Sequence, residues 1–232
     1  LGGVYLGDSI YFFIAAQDSS SNNNLGSAPS GAVGSNVFSI TTYPTSYSYK
    51  IVSGLSGTFT VGGTTGTYYN LTNPGGAFDA INSSALSGNV TLVVSGDLNE
   101  SGAITLKKWS ETGSGNYSVR IVPDGTTERQ IVDTAATPVA NSAVITFDGC
   151  TRATIDGRYN GSGRYLRIRN RGANGIAILF RNDAVRDTVM YTTLECVTTV
   201  TATVVWGTTN VIGGRGNDSN VVTFCNLGDT LG

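Results

Sequence analysis

Asp148, Asp156, Asp183 and Asp187 share one stretch of the chain with Arg152, Arg158, Arg164, Arg167, Arg169, Arg171, Arg181 and Arg186. Carboxylates near basic side chains are the materials of glycan cleavage. Paired acids can activate water and protonate a leaving oxygen, and acids can hold Ca²⁺ beside an Arg or Lys base. Here the acids are strung out singly, with no tight acidic cluster, and they read as turn residues and partners of nearby arginines. Arg164, Arg167, Arg169 and Arg171 would make a basic face able to grip an acidic polysaccharide through charge-assisted hydrogen bonds. The plainer and favoured reading is a solvated face paired with Asp156, Asp183, Asp187 and Glu195.

The 232 residues include no histidine. That excludes Ser-His-Asp and Cys-His catalysis and removes the commonest metal ligand. No catalytic set, metal site or cofactor site emerges, and none is expected. Cys150, Cys196 and Cys225 form no C-x-x-C pair and read as buried thiols, with one disulfide plus one free thiol as the alternative. Asn-x-Ser/Thr sites at Asn70, Asn82, Asn89, Asn99, Asn116 and Asn217 bear on function only in a host that glycosylates. Gly213-Gly214-Arg215-Gly216 lacks the Lys-Ser/Thr of a phosphate loop. A net charge of -2 argues against nucleic acid as the main partner, because phosphate binding requires a basic surface. The most apolar run, Ile10–Ala16, is far shorter than the roughly 20 residues that span a bilayer, so no membrane span is expected.

The elements that must carry these residues are strands. Gly, Ser, Thr and Asn abound, and Val, Ile, Leu, Tyr and Phe recur in short runs, a β composition with turn residues between. Gly7–Asp18 reads as one strong strand, followed by a polar loop, Ser19 to Asn36, and a short return strand, Val37–Ile40. Two strands alone cannot bury so apolar a run. Residues 1–48 therefore read as an extension whose strand Ile10, Tyr11, Phe12, Phe13 and Ile14 must pack on the rest of the chain or on another chain. Beyond residue 49 the stretch Gly75–Asn82 reads as a short capping helix, with Phe78 and Ile81 on one face. Short strands are expected at Val90–Val94, Ala103–Leu106, Ser118–Val122, Ala143–Phe147, Ala153–Ile155, Tyr165–Arg169, Ile176–Phe180, Thr188–Tyr191, Thr203–Val205 and Val221–Phe224.

A repeat of about 33 residues aligns Val189 with Val222, Tyr191 with Phe224 and Leu194 with Leu227. A looser copy places Ala153-Thr154-Ile155-Asp156-Gly157 about 36 residues before Tyr191. The period fits one turn of a coil whose inner face is buried by stacking on the next. Leu166 and Ile168 would point inward, and Tyr165, Arg167 and Arg169 outward. Asn170, Asn174, Asn182, Asn217 and Asn220 would stack as amide ladders in the turns. The expectation for residues 49–232 is an all-β, right-handed parallel β-helix. The competing fold is an antiparallel sandwich with hairpins at Asp124-Gly125, Asp148-Gly149 and Asp156-Gly157.

Several segments resemble the parallel β-helix region of large secreted surface proteins of Bacteroidetes-type bacteria. They are Phe59-Thr60-Val61-Gly62-Gly63, Phe78-Asp79-Ala80-Ile81-Asn82, Gly88–Val94, Ile121–Gly125, Ala153–Arg158, Gly161–Leu166 and Arg169-Asn170. The leading strand, Asp8–Asp18, resembles a late strand of an immunoglobulin-like or fibronectin type III-like module. The resemblance implies secretion by the type IX route and surface display, and no reaction. Pectin-cleaving enzymes on this fold carry Asn-Thr-Asp, Asp-Asp and Gly-His-Gly motifs, none of which occurs here.

Two features point to assembly as the function. The strand Ile10–Ala16 lacks a sheet of its own, and the last coil, near Phe224–Leu227, shows no polar cap or closing helix. An uncapped coil presents unpaired backbone groups and apolar rungs, and a strand of one chain can extend a sheet of the next. The expectation is an extracellular, non-catalytic structural protein, a cell-surface or fibre-forming β-helix. Its partners would be copies of itself, other surface proteins or polysaccharide. The alternatives are a segment of a large glycan-binding adhesin, or a polysaccharide lyase or hydrolase.

Overall fold

The structure of the protein, a computed structural model, describes residues 3–5, 7–20, 22, 24–133, 142–172, 174–197, 202–207 and 216–229. The chain divides into two compact units, Leu1–Ser53 and Gly54–Gly232. The expected boundary between residues 48 and 49 falls inside a strand of the first unit.

The first unit is a set of antiparallel pairs. Its strands are β1 (Ser9–Phe12), β2 (Ile14–Gln17), β3 (Leu25–Ala28), β4 (Val33–Gly34), β5 (Ile40–Thr42) and β6 (Tyr47–Lys50). They pair as β1 with β6, β2 with β3, and β4 with β5. The single strand expected over Gly7–Asp18 is therefore two, broken at Phe13, because its halves serve different partners. The expected polar loop contains β3 and β4, and the return strand is Ile40–Thr42, since Asn36 to Ser39 close a turn through Ser39 N–H to Asn36 O at 3.0 Å. Asp18 holds the turn after β2 by accepting from Ser20 N and Oγ and from Asn24 N and Nδ2.

The second unit is a parallel β-solenoid of about five turns with one short helix. It opens with β7 (Gly54–Val61) and α1 (Ala77–Ser83). The coils then follow in chain order. They are β8 (Ala85–Val94), β9 (Leu98–Glu100) and β10 (Leu106–Lys107); β11 (Ser110–Glu111), β12 (Val119–Pro123), β13 (Arg129–Asp133) and β14 (Ala143–Asp148); β15 (Ala153–Asp156), β16 (Leu166–Asn170) and β17 (Ile176–Arg181); β18 (Thr188–Met190), β19 (Thr192–Cys196) and β20 (Val204–Trp206); then β21 (Val221–Thr223) and β22 (Asn226–Asp229). Sheet one stacks β7, β8, β12, β15, β18 and β21, with the short β11 also paired to β8; sheet two stacks β9, β13, β16, β19 and β22; sheet three stacks β10, β14, β17 and β20.

Stacking works because each coil repeats the same inward apolar positions. In sheet one Phe59, Leu92, Ile121, Ile155, Val189 and Val222 fall in one register line. In sheet two the line is Leu98, Ile131, Ile168, Leu194 and Leu227. In sheet three Leu106, Phe147, Phe180 and Trp206 align, and the three aromatic rings stack at 5.1 and 5.2 Å. Each fully buried aliphatic rung stabilises the fold by about 1.5–3 kcal/mol. Leu166 and Ile168 are buried as expected, and Tyr165, Arg167 and Arg169 face outward, half-buried. The Val189–Val222 and Leu194–Leu227 pairings are those read from the repeat, and the Tyr191 and Phe224 rings stack at 4.9 Å. The looser copy sits two residues off its expected place, since Ile155 pairs with Val189.

The three Asp-Gly turns join strands of different sheets, so they are solenoid corners and not hairpins. Non-glycine residues take left-handed backbone at other corner positions: Arg152, Asn182, Asp183 and Arg186 before sheet one, and Tyr191 and Phe224 before sheet two, with φ of 51–67°. The expected strand Ala103–Leu106 shrinks to Leu106–Lys107 because Gly102 turns the chain at φ 66° and Ile104 N–H bonds back to Thr72 O. Helix α1 follows the Asn73-Pro74-Gly75-Gly76 turn, whose Gly75 N–H bonds to Asp79 Oδ2 at 2.9 Å. It buries Ala77, Phe78 and Ile81 and packs beside β8 and β10, closing the first end of sheet three.

Candidate functional site

The strand residues singled out for assembly lie in the first unit. Ile10, Tyr11 and Phe12 stand in β1 opposite Tyr49, Ser48 and Tyr47 of β6. Phe12 packs on Tyr47 and Tyr49, and Phe13 on Tyr43. Ile14 begins β2 opposite Ala28. The expectation of a strand without a sheet is thus corrected: both halves have partners within the chain. Each nevertheless pairs on one side among the described residues, and Tyr11, Phe12 and Ile14 remain exposed.

The arginine face forms on the outside of sheet two, because Arg167 and Arg169 alternate with buried Leu166 and Ile168 along β16. Arg167 bridges two coils, bonding Glu128 at 2.7 Å and also Glu195. The hydrogen bond to Glu128 holds the Arg167 guanidinium above its ordinary range. Arg169 lies 3.8 Å from the same Glu195. Arg164 donates to Phe224 O at 2.7 Å, and Arg171 is exposed just after β16. Arg167 and Arg169 are therefore engaged with carboxylates of neighbouring coils, but of the four acids expected to pair with this face only Glu195 does among the described residues, and Glu128 takes the other place.

The aspartates are not brought together. Asp156, at the end of β15, is fully buried and clamped by Arg120 at 2.6 Å and Arg158 at 2.9 Å. Burial works to raise its carboxyl, but the hydrogen bonds from Arg158 and Arg120 outweigh it and hold it below the usual range. Asp148 accepts from Arg181 at 2.8 Å and Thr105 at 3.0 Å. Asp187 has no arginine bonded to it. Its carboxylate is buried, accepts Ala153 N–H at 2.8 Å and takes a weak bond from Cys150 Sγ at 3.4 Å. Burial pushes it up to about 6. Among the described residues no three His, Cys, Asp or Glu side chains gather as a metal ion would require.

The sequence reading missed Glu100, another deeply buried acid. It is fully buried at the end of β9 and accepts Leu71 N–H at 2.6 Å, Thr72 N–H at 2.7 Å and Thr72 Oγ1 at 2.7 Å. Burial raises its carboxyl too. Glu100 and Asp187 do the same work: each ties one coil to the backbone of the coil before it. The asparagines do likewise and do not bond mainly to one another. Asn220 accepts Asp187 N–H at 2.9 Å and donates to Ala184 O at 2.7 Å, Asn217 bonds Ala184 N–H and Gly207 O, and Asn170 bonds Ser142 O and Ile176 O. Cys150, Cys196 and Cys225 are all free thiols, the first two buried. Gly213, Gly214 and Arg215 lie outside the described residues.

The face of the last coil is the other feature of note. Strands β20, β21 and β22 each stack on one neighbour among the described residues. The rungs Trp206 of β20 and Leu227 of β22 are 49% and 61% exposed, whereas Phe180 and Leu194 one coil earlier are 0% exposed, and the corner ring Phe224 is 65% exposed. Phe224 and Leu227 carried a sequence signal through the repeat, whereas Trp206, the last residue of β20, lies one residue beyond the strand expected at Thr203–Val205. Among the described residues no helix is long and apolar enough to cross a membrane. No protein-family model matches the chain, and no curated protein or solved structure matches it either.

Proposed function

We propose that this chain is a non-catalytic structural protein of the cell surface or of an extracellular fibre, and that it works by self-association. The observation that supports the reading is the last coil. Among the described residues β20, β21 and β22 each pair on one side, Trp206 and Leu227 continue the core lines of sheets three and two with exposed side chains, and the corner ring Phe224, stacked on Tyr191, is exposed beside them. Such an edge is a template for another strand, and its apolar rungs gain by being covered. The exposed Tyr11, Phe12 and Ile14 of the first unit offer a second strand edge for β-augmentation. A contact that joins unlike surfaces of successive copies does not close and extends into a filament.

Sedimentation velocity and negative-stain microscopy test the reading. The chain should form oligomers or fibres in a concentration-dependent way, and Phe224→Ser with Leu227→Lys should return it to monomers with its melting curve unchanged. Monodisperse monomers at high concentration would defeat the proposal. Assembly that ignores both substitutions would remove the last coil from it.

A further inference from the structure

A groove of about 670 Å³ crosses the corner between sheet three and sheet one. Its walls come from four successive coils: Lys108 after β10, Thr151 before β15, Asn182 and Arg186 before β18, and Asp218 with Ser219 before β21. With coils about 4.8 Å apart, three steps give a trough roughly 14 Å long that runs along the solenoid axis. This corner lies on the opposite side of sheet one from the Arg164–Arg171 face, and the groove shares no residue with it or with the exposed end rungs.

The lining has a particular chemistry. Lys108 and Arg186 form no ion pair with any described residue, whereas Arg120, Arg129, Arg152, Arg158, Arg167, Arg169 and Arg181 each do. Arg186 is held in left-handed backbone at φ 60°, its N–H fixed to Asp218 O at 3.2 Å. The carboxylates of Asp183 and Asp218 balance the two cations, so the groove carries no net charge. It offers donors (Lys108, Arg186), acceptors (Asp183, Asp218) and hydroxyls (Thr151, Ser219). Val185 supplies its apolar lining.

The geometry points to a binding site for a neutral oligosaccharide laid along the solenoid axis. Vicinal sugar hydroxyls donate and accept at once, which matches a wall that holds both ionised donors, Lys108 and Arg186, and ionised acceptors, Asp183 and Asp218, and so forms the stronger, charge-assisted bonds. An acidic glycan would meet Asp183 and Asp218, and a peptide would want apolar pockets for its side chains, which this lining lacks. With no aromatic side chain in the lining for sugar rings to stack on, binding is weak and rests on the polar contacts.

The test is independent of assembly if it is run on the chain that carries both Phe224→Ser and Leu227→Lys. The probes are neutral hexasaccharides of glucose, xylose and mannose, with hexagalacturonate and polyglutamate as the charged alternatives, followed by calorimetry or NMR titration. At least one neutral hexasaccharide should bind, with little dependence on salt. Arg186→Ala and Asp218→Ala, both at exposed positions, should each weaken it by about tenfold, while Gln130→Ala on sheet two leaves it unchanged. Melting curves establish that the variants fold. Three results would overturn the site: no neutral sugar bound at millimolar concentration, binding that survives both groove substitutions, or preference for hexagalacturonate or polyglutamate with steep loss in salt.

Discussion

Asp187→Asn should make the protein's stability respond differently to pH, by an amount that the buried site sets. The carboxyl of Asp187 lies among Ala153 N–H and the Cys150 thiol with no cation bonded to it, and burial raises it from 3.8 to about 6. A raised acid binds its proton more tightly in the folded chain than in the unfolded one. Its stabilising contribution is therefore complete below about pH 4 and is lost as pH climbs through 6. The gap between 3.8 and about 6 corresponds to about 3 kcal/mol. Asparagine keeps an oxygen for Ala153 N–H and never ionises. The variant should thus gain up to about 3 kcal/mol relative to the natural chain between pH 4 and pH 7, with most of the change below pH 6. Urea midpoints by circular dichroism across that range measure it. The paired acids Asp124, Asp148 and Asp156 are held low, so they cost stability only as pH falls further, equally in both chains. A difference that stays flat with pH, or that favours the natural chain more as pH rises, would refute the assignment of Asp187 as an acid strained by burial.

Two further substitutions probe the stack itself. Phe180→Ala removes a fully buried ring from between Phe147 and Trp206 and should cost about 3–5 kcal/mol in urea melts, because no neighbouring coil can collapse into the space. Gly157→Ala should cost about 1–3 kcal/mol, since its Cβ would overlap the carbonyl oxygen of Tyr191 where successive coils touch at the corner; a neutral result there would mean that the coils stack more loosely than described.

Much of the solenoid was legible because its rungs repeat in both position and type. Val189 and Val222, or Leu194 and Leu227, are the same residue one coil apart, and the eye finds them. Where a corner changes length the register drifts, which is why Ile155 was matched two residues away from Val189. Strand β13, Arg129–Asp133, was missed because only Ile131 and Val132 are apolar in it, and β9 because Glu100 looks like a loop residue until its three hydrogen bonds are seen. The break at Phe13 leaves no trace in an unbroken apolar run, since it arises from which distant strands compete for each half. Left-handed corners at Arg186, Tyr191 and Phe224 were equally hidden, because only Gly, Asn and Asp advertise that conformation. The groove could not be read at all: Lys108, Thr151, Arg186 and Ser219 are neighbours only once four coils are stacked.

The constant spacing of the register lines makes this architecture modular along its axis. Ile155, Val189 and Val222 are interchangeable as platforms for whatever lies above them, as are Ile168, Leu194 and Leu227. Deleting or duplicating one whole coil would therefore restore the same neighbours on either side, changing length by about 4.8 Å and leaving every junction familiar. Recombination between repeats could tune the reach of such a rod without redesigning any of its joints.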